Sequence, residues 1–146
     1  METDGYGEAP RPSSDGANIA LPIPMISDDR QTLTTCAIDM RFASKDVEHA
    51  VLLLLSVKEN IQAKHGCRAC RVGVDAADAG LVHYLEEWES AELFHKHVRS
   101  EEFLRVLIAV DMCCEEPRIV TGSLSGNTGM AYLRKLREEE GKIRIA

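Results

Sequence analysis

The 146-residue chain has little of what most specialised surfaces are built from, and each shortage removes a class of function. Long apolar runs are missing: the longest, from Ala50 to Leu55, is far short of the ~20 residues that span a bilayer. This speaks against a membrane protein. Basic clusters are missing too. The nearest is Arg134-Lys135-Leu136-Arg137, which runs straight into Glu138, Glu139 and Glu140 and reads as a solvated helix face with internal ion pairs. With a formal net charge of -7, phosphate neutralisation is not available, so no nucleic-acid partner is expected. The first 30 residues are polar and acidic rather than basic and then apolar, so they lack the signal-peptide pattern. Five cysteines are an odd number at low density, which points to reduced thiols and a soluble cytoplasmic protein. Aromatic residues are scarce at 5%, with a single Trp.

Metal and phosphate signatures are also lacking. Cys67 and Cys70 match C-x-x-C but fall on a predicted strand, where an offset of three sends the two sulfurs to opposite faces; thioredoxin-type pairs open a helix instead. Cys113-Cys114 has no second pair at finger spacing. Gly122 to Gly129 (GSLSGNTG) carries no Lys-Ser/Thr ending and reads as a loop. His95 and His97 are two positions apart on a helix, about 200° around its axis, and cannot share a metal. Neither a metal nor a cofactor is expected.

The residues that are present divide the chain into three parts. Residues 1–30 hold four of the five prolines among Gly, Ser and Asp and read as a flexible extension. Within it, Ile19 to Ile26 (IALPIPMI) is apolar enough to lie on a surface, and its prolines bar it from a central strand. Residues 31–125 hold the domain, and 126–146 a C-terminal helical extension from Asn127 to Glu140, stopped by Gly141. In the domain, Thr32 to Phe42 is Thr-rich and β-branched and predicts a strand. Ser44 is a candidate N-cap for a helix to about Lys64, with Val47, Val51, Leu54, Leu55 and Ile61 as its apolar stripe. His65-Gly66 ends it. Cys67 to Asp75 and Leu81 to Trp88 predict a hairpin across a turn at Ala76 to Gly80. Ser90 and Ser100 cap two short helices, and RIVTGSL supplies a fourth strand.

That order is the β-α-β-β-α-β plan of a ferredoxin-like α+β fold with an antiparallel sheet. Helices on one face leave the other face bare. Strands one and three carry apolar residues at both parities, so the bare face would be an exposed apolar patch. A homodimer packed sheet to sheet covers it, leaving each subunit a pocket between its own sheet and helices.

The densest chemistry lies at the junction LVHYLEEWESAELFHKHVRSEEF, Leu81 to Phe103. Tyr84, Glu86 and Trp88 share parity on strand three and point to one face, while His83 faces the other. His97 has the intrinsic pKa of a general base. Trp88 can stack an aromatic ring and Tyr84 can donate a hydrogen bond. A purely structural account also fits: Trp88 as core, Glu86 in a buried ion pair with Arg41 or Arg71, and His97 capping the helix pair or lying in the dimer seam.

Gly66-Cys67 opening strand two, Glu86-Glu87-Trp88-Glu89-Ser90 ending strand three, and His97 followed by Ser100 and Phe103 stand in the order and spacing of the antibiotic biosynthesis monooxygenase (ABM) family. From about Thr32 to Leu124 the chain resembles that family, whose members form dimeric α+β barrels. Family members include cofactor-independent monooxygenases of quinols and polyketide anthrones, haem-degrading enzymes and proteins of no known activity. The resemblance implies an oxidoreductase acting on a small quinol-like or polyketide-like aromatic with O₂. It makes His97, Trp88 and Glu86 the catalytic candidates, with Tyr84, Arg41 and Phe103 as substrate-binding candidates. The alternative is a non-catalytic small-molecule-binding or stress-related dimeric module of the same fold. Two departures narrow the reading. Glu101-Glu102 stands where many members have Pro-His after the Ser; and of the residues that haem degraders share, strand one lacks the Asn, His97 stands in place of the Trp, and Leu107 lies near the position of the later His.

Overall fold

The structure, a computed structural model, describes residues 32–126 and 129–145, with side chains up to 139. The extension 1–30, including Ile19 to Ile26, lies outside the described residues. Thr32–Leu124 forms one compact unit. Its elements are β1 (Leu33–Arg41), α1 (Val47–Gln62), β2 (Cys67–Asp75), β3 (Asp78–Trp88), α2 (Ala91–Val98), α3 (Glu101–Asp111) and β4 (Arg118–Leu124). The sheet is antiparallel in the order β2-β3-β1-β4. This is the ferredoxin-like α+β arrangement that the sequence order predicts.

Period-two alternation decides what the sheet buries. On β1, Cys36, Ile38 and Met40 are buried, and on β3 so are Val82, Tyr84, Glu86 and Trp88. Cross-strand partners Cys36–Glu86, Ile38–Tyr84 and Met40–Val82 build this face as one layer. Against it α1 lays Ala50, Leu54, Val57 and Ile61, and α3 lays Phe103, Val106 and Ala109. The expected α1 stripe is therefore rotated: Leu54 and Ile61 are core, whereas Leu55 is 46% exposed. Ala50 and Val57 complete the i, i+4, i+7, i+11 row that a 3.6-residue period demands.

The helix starts obey their caps, with one correction. Ser90 Oγ accepts from Leu93 N (3.1 Å) and Ser100 Oγ from Phe103 N (3.2 Å), each worth about 1 kcal/mol. Ser44 does not cap α1. Ala43 O accepts from Asp46 N and Val47 N, so the chain makes a turn first and α1 starts after Asp46. At the other end Gly66 takes φ 86°, the left-handed conformation that glycine adopts without a Cβ penalty. Leu93 packs close upon it: a Cβ on Gly66 would stand 2.3 Å from Leu93 Cδ1, so the leucine side chain would have to shift. Gly66 O also accepts from Glu89 N (2.8 Å), tying the end of α1 to the end of β3.

Two strand details depart from simple alternation. The hairpin turn is tighter than expected, since β3 already starts at Asp78. A register irregularity between Cys67 and Ala69 sets Cys67 opposite Trp88 and Cys70 opposite Glu86. Both thiols thus neighbour residues of the buried face, not opposite faces. The extra residue of a bulge restores a parity that plain counting inverts.

Within the Thr32–Leu124 unit, no helix among the described residues packs on the other sheet face. There His83 bridges two strands, Nδ1 to Asp39 Oδ1 (2.8 Å) and Nε2 to Asp75 Oδ1 (2.9 Å). All of β4 is exposed, including Val120 and Leu124. Beyond the unit, the structure describes one helix, α4 (Met130–Ile145). It runs past Gly141 rather than stopping there, because a glycine inside a helix costs only about 1 kcal/mol among good helix formers. Among the described residues no helix is long and apolar enough to cross a membrane.

Candidate functional site

β3 delivers three polar side chains to the buried face in consecutive inward positions. Glu86, fully buried, is the hub. Its Oε1 accepts from Trp88 Nε1 at 2.8 Å. Its Oε2 accepts from the Tyr84 hydroxyl and from His97 Nε2, the latter at 3.1 Å. Cys70 Sγ contacts the Tyr84 hydroxyl in turn (3.5 Å). A buried carboxylate is tolerated because donors replace the lost water. Its charge and the burial act on the neighbours. Desolvation first, and then the Glu86 carboxylate, push the Cys36 thiol up to about 12 and Tyr84 well above the ordinary phenol range. Burial raises Cys70 to about 11. These thiols are packed, protonated groups without nucleophilic character.

α2 and the Ser100 cap bring His97 onto this hub. Its ring lies against Trp88 (centroids 4.7 Å, 31°) and meets the edge of Phe103 (5.3 Å, 77°). The hydrogen bonds assign its tautomer. Lys64 Nζ is 3.0 Å from Nδ1, and an ammonium can only donate, so Nδ1 carries the lone pair. Nε2 therefore bears the proton that it donates to Glu86. Ser100 Oγ is 3.4 Å from the same Nδ1. Lys64 Nζ also pairs with Glu102 Oε1 at 3.0 Å, and that bond holds the Glu102 carboxyl below the usual carboxylate range.

A cavity of about 330 Å³ opens here, lined by Lys64, His65, Trp88, Leu93, Lys96, His97 and Ser100. This is the low end of the size of small-molecule sites. Trp88 and Leu93 form its apolar wall, and His97 turns Nδ1 rather than Nε2 toward the Lys64 and Ser100 side of it. A buried carboxylate behind an imidazole, with the far nitrogen facing a cavity, is the arrangement that orients a general base and stabilises the imidazolium it becomes.

Of the residues expected at the site, His97, Trp88 and Glu86 come together. Tyr84 comes too, but its hydroxyl is taken by Glu86 and it does not line the cavity. Phe103 packs behind His97 rather than in the cavity. Arg41 goes elsewhere: it pairs with Asp78 (2.7 Å) and Glu115 (3.3 Å). In the β1–β3 register it stands opposite Leu81, at the other end of β3 from Trp88. Glu86 thus has hydrogen-bond donors where an arginine partner was one expectation. Lys64, Leu93, Lys96 and His65 carry no motif of their own. The one signal for Lys64 is its place in the turn before Gly66, which the fold ties to the end of β3.

The family model described as antibiotic biosynthesis monooxygenase matches residues 35–107. Solved structures share the fold. A conserved protein of Methanosarcina mazei is 16% identical with a TM-score of 0.58, over 70% of this chain and 100% of its own. A protein of Pseudomonas aeruginosa is 21% identical with a TM-score of 0.57, over 66% of this chain and 96% of its own. A structure described as an antibiotic biosynthesis monooxygenase is 20% identical with a TM-score of 0.56, over 66% of this chain and 99% of its own. At these identities the likeness is one of fold. No curated protein matches the chain.

Proposed function

The chain belongs to the antibiotic biosynthesis monooxygenase family, and on that premise we propose that it is a cofactor-independent monooxygenase of a small quinol-like or polyketide-like aromatic, working as a homodimer. The observation that carries this reading is the buried Glu86–His97 pair with Nδ1 directed to a cavity walled by Trp88. His97 Nδ1 takes a proton from the substrate, Glu86 holds the ring and balances the imidazolium, and Trp88 stacks the aromatic.

The anion so formed is electron-rich enough to pass one electron to O₂. Recombination of the two radicals forms a carbon–oxygen bond and a peroxide, which then loses water. An anthrone methylene becomes a carbonyl, or a quinol becomes a hydroxyquinone. One oxygen atom stays in the product and the other leaves as water with two substrate hydrogens, so no external reductant is consumed. The low-polarity wall of Trp88 and Leu93 keeps bulk water from the anion.

Oxygen uptake with naphthoquinols and anthrones tests this. His97→Ala should lower the rate by about 10²-fold or more, the usual worth of a positioned base. Trp88→Phe should mainly raise KM. No uptake above the buffer blank, or an unaltered rate in His97→Ala, would leave a binding module of the same fold.

A further inference from the structure

The chain is strongly acidic, yet the titratable side chains lining the His97 cavity are Lys64, Lys96, His65 and His97, without a carboxylate among them. Lys64 is the central one. Its ammonium touches His97 Nδ1 and Glu102 Oε1, each at 3.0 Å. Its side chain is only 28% exposed. Lys96 at the rim has no carboxylate partner among the described residues. Where charges of one sign collect around an apolar wall, the complementary ligand carries the other sign.

The position of Lys64 sharpens this. While its ammonium donates to Nδ1, that lone pair is occupied. The hydroxyl or carbonyl oxygen of an uncharged aromatic offers the ammonium only a weaker, neutral acceptor in exchange. A carboxylate on the ring is the stronger acceptor: it can draw Lys64 off Nδ1, leaving the nitrogen free for the substrate's proton. We infer that the His97 pocket takes an aromatic ligand bearing a carboxylate, with Lys64 as the residue that holds this anion while Trp88 and Leu93 hold the ring. The inference rests on the reading of this pocket as the working site and names its substrate class.

Anaerobic calorimetric titration of the full chain with 1,4-dihydroxy-2-naphthoate and with its neutral carboxamide tests the claim. The acid should bind about 10- to 100-fold more tightly, the range of a charge-assisted hydrogen bond. Added salt should weaken the acid and spare the amide. Lys64→Met should abolish the preference, Lys64→Arg should retain part of it, and Lys96→Met should reduce it less. Equal affinity for acid and amide in the unaltered chain overturns the inference without need of any variant, and so does a preference that survives Lys64→Met. The same pair in oxygen uptake separates the two claims. If the acid binds through Lys64 and neither compound is oxidised, the anion pocket stands and the monooxygenase reading falls. If both bind equally and both are oxidised in a His97-dependent way, the reverse holds.

Discussion

Glu86 shows how one residue serves stability and chemistry together. Three donors converge on its two oxygens from inside the core. Glu86→Gln presents an amide N–H₂ to a site that offers only donors, which should destabilise the fold by about 3 kcal/mol. Urea unfolding checks this as a lower midpoint at unchanged m. Tyr84→Phe removes one donor of three and should cost only about 1 kcal/mol. Alternation on β3 made the grouping of Tyr84, Glu86 and Trp88 legible from sequence alone. Lys64 was not legible, because it lies in a turn and its reach to His97 is set by how the end of α1 meets α2. Arg41 misled for a related reason: sequence shows which face a strand residue takes, but not which partners wait beyond the strand end.

Between elements, the joint at Gly66 governs how α1, α2 and β3 frame the pocket. Gly66→Ala introduces both a left-handed strain and a clash with Leu93, and should cost about 2–3 kcal/mol. Gly66→Ala combined with Leu93→Ala should relieve the clash and leave the strain. A double-mutant cycle by urea unfolding would show that coupling, whereas strict additivity would mean that the two do not meet. Caps at Ser90 and Ser100 and the glycine stop could be read in advance because each is local chemistry. The bulge near Arg68 could not, and it reversed the facing of Cys67 against Cys70. Leu55 fits the apolar stripe of α1 by sequence yet faces out, because the register of a helix against its sheet is a tertiary property.

At the largest scale, the sheet face that no helix of the Thr32–Leu124 unit covers matters most. On the homodimer reading, Val120 and Leu85 lie in the contact, and Val120→Asp should convert a species of twice 16.2 kDa into one of 16.2 kDa in sedimentation. The same face carries the His83 bridge. Hydrogen bonds first to Asp39 and then to Asp75 raise the His83 pKa above 6.5, and His83 holds Asp75 below its ordinary 3.8. The histidine's contribution is complete below about pH 6.5 and is lost as pH rises through the raised folded value; that of Asp75 is present above about pH 3.8 and lost on further acidification. His83→Gln should therefore be most destabilising at about pH 5–6 and least so in alkali. A pH-independent difference in unfolding midpoint would show that the bridge does not titrate. A last consequence follows from the scarcity of aromatics. The single Trp of the chain is the pocket wall itself, 4.7 Å from the imidazole. Its intrinsic fluorescence therefore comes from one known place, so that quenching or a spectral shift on titration reports occupancy of the site without any label.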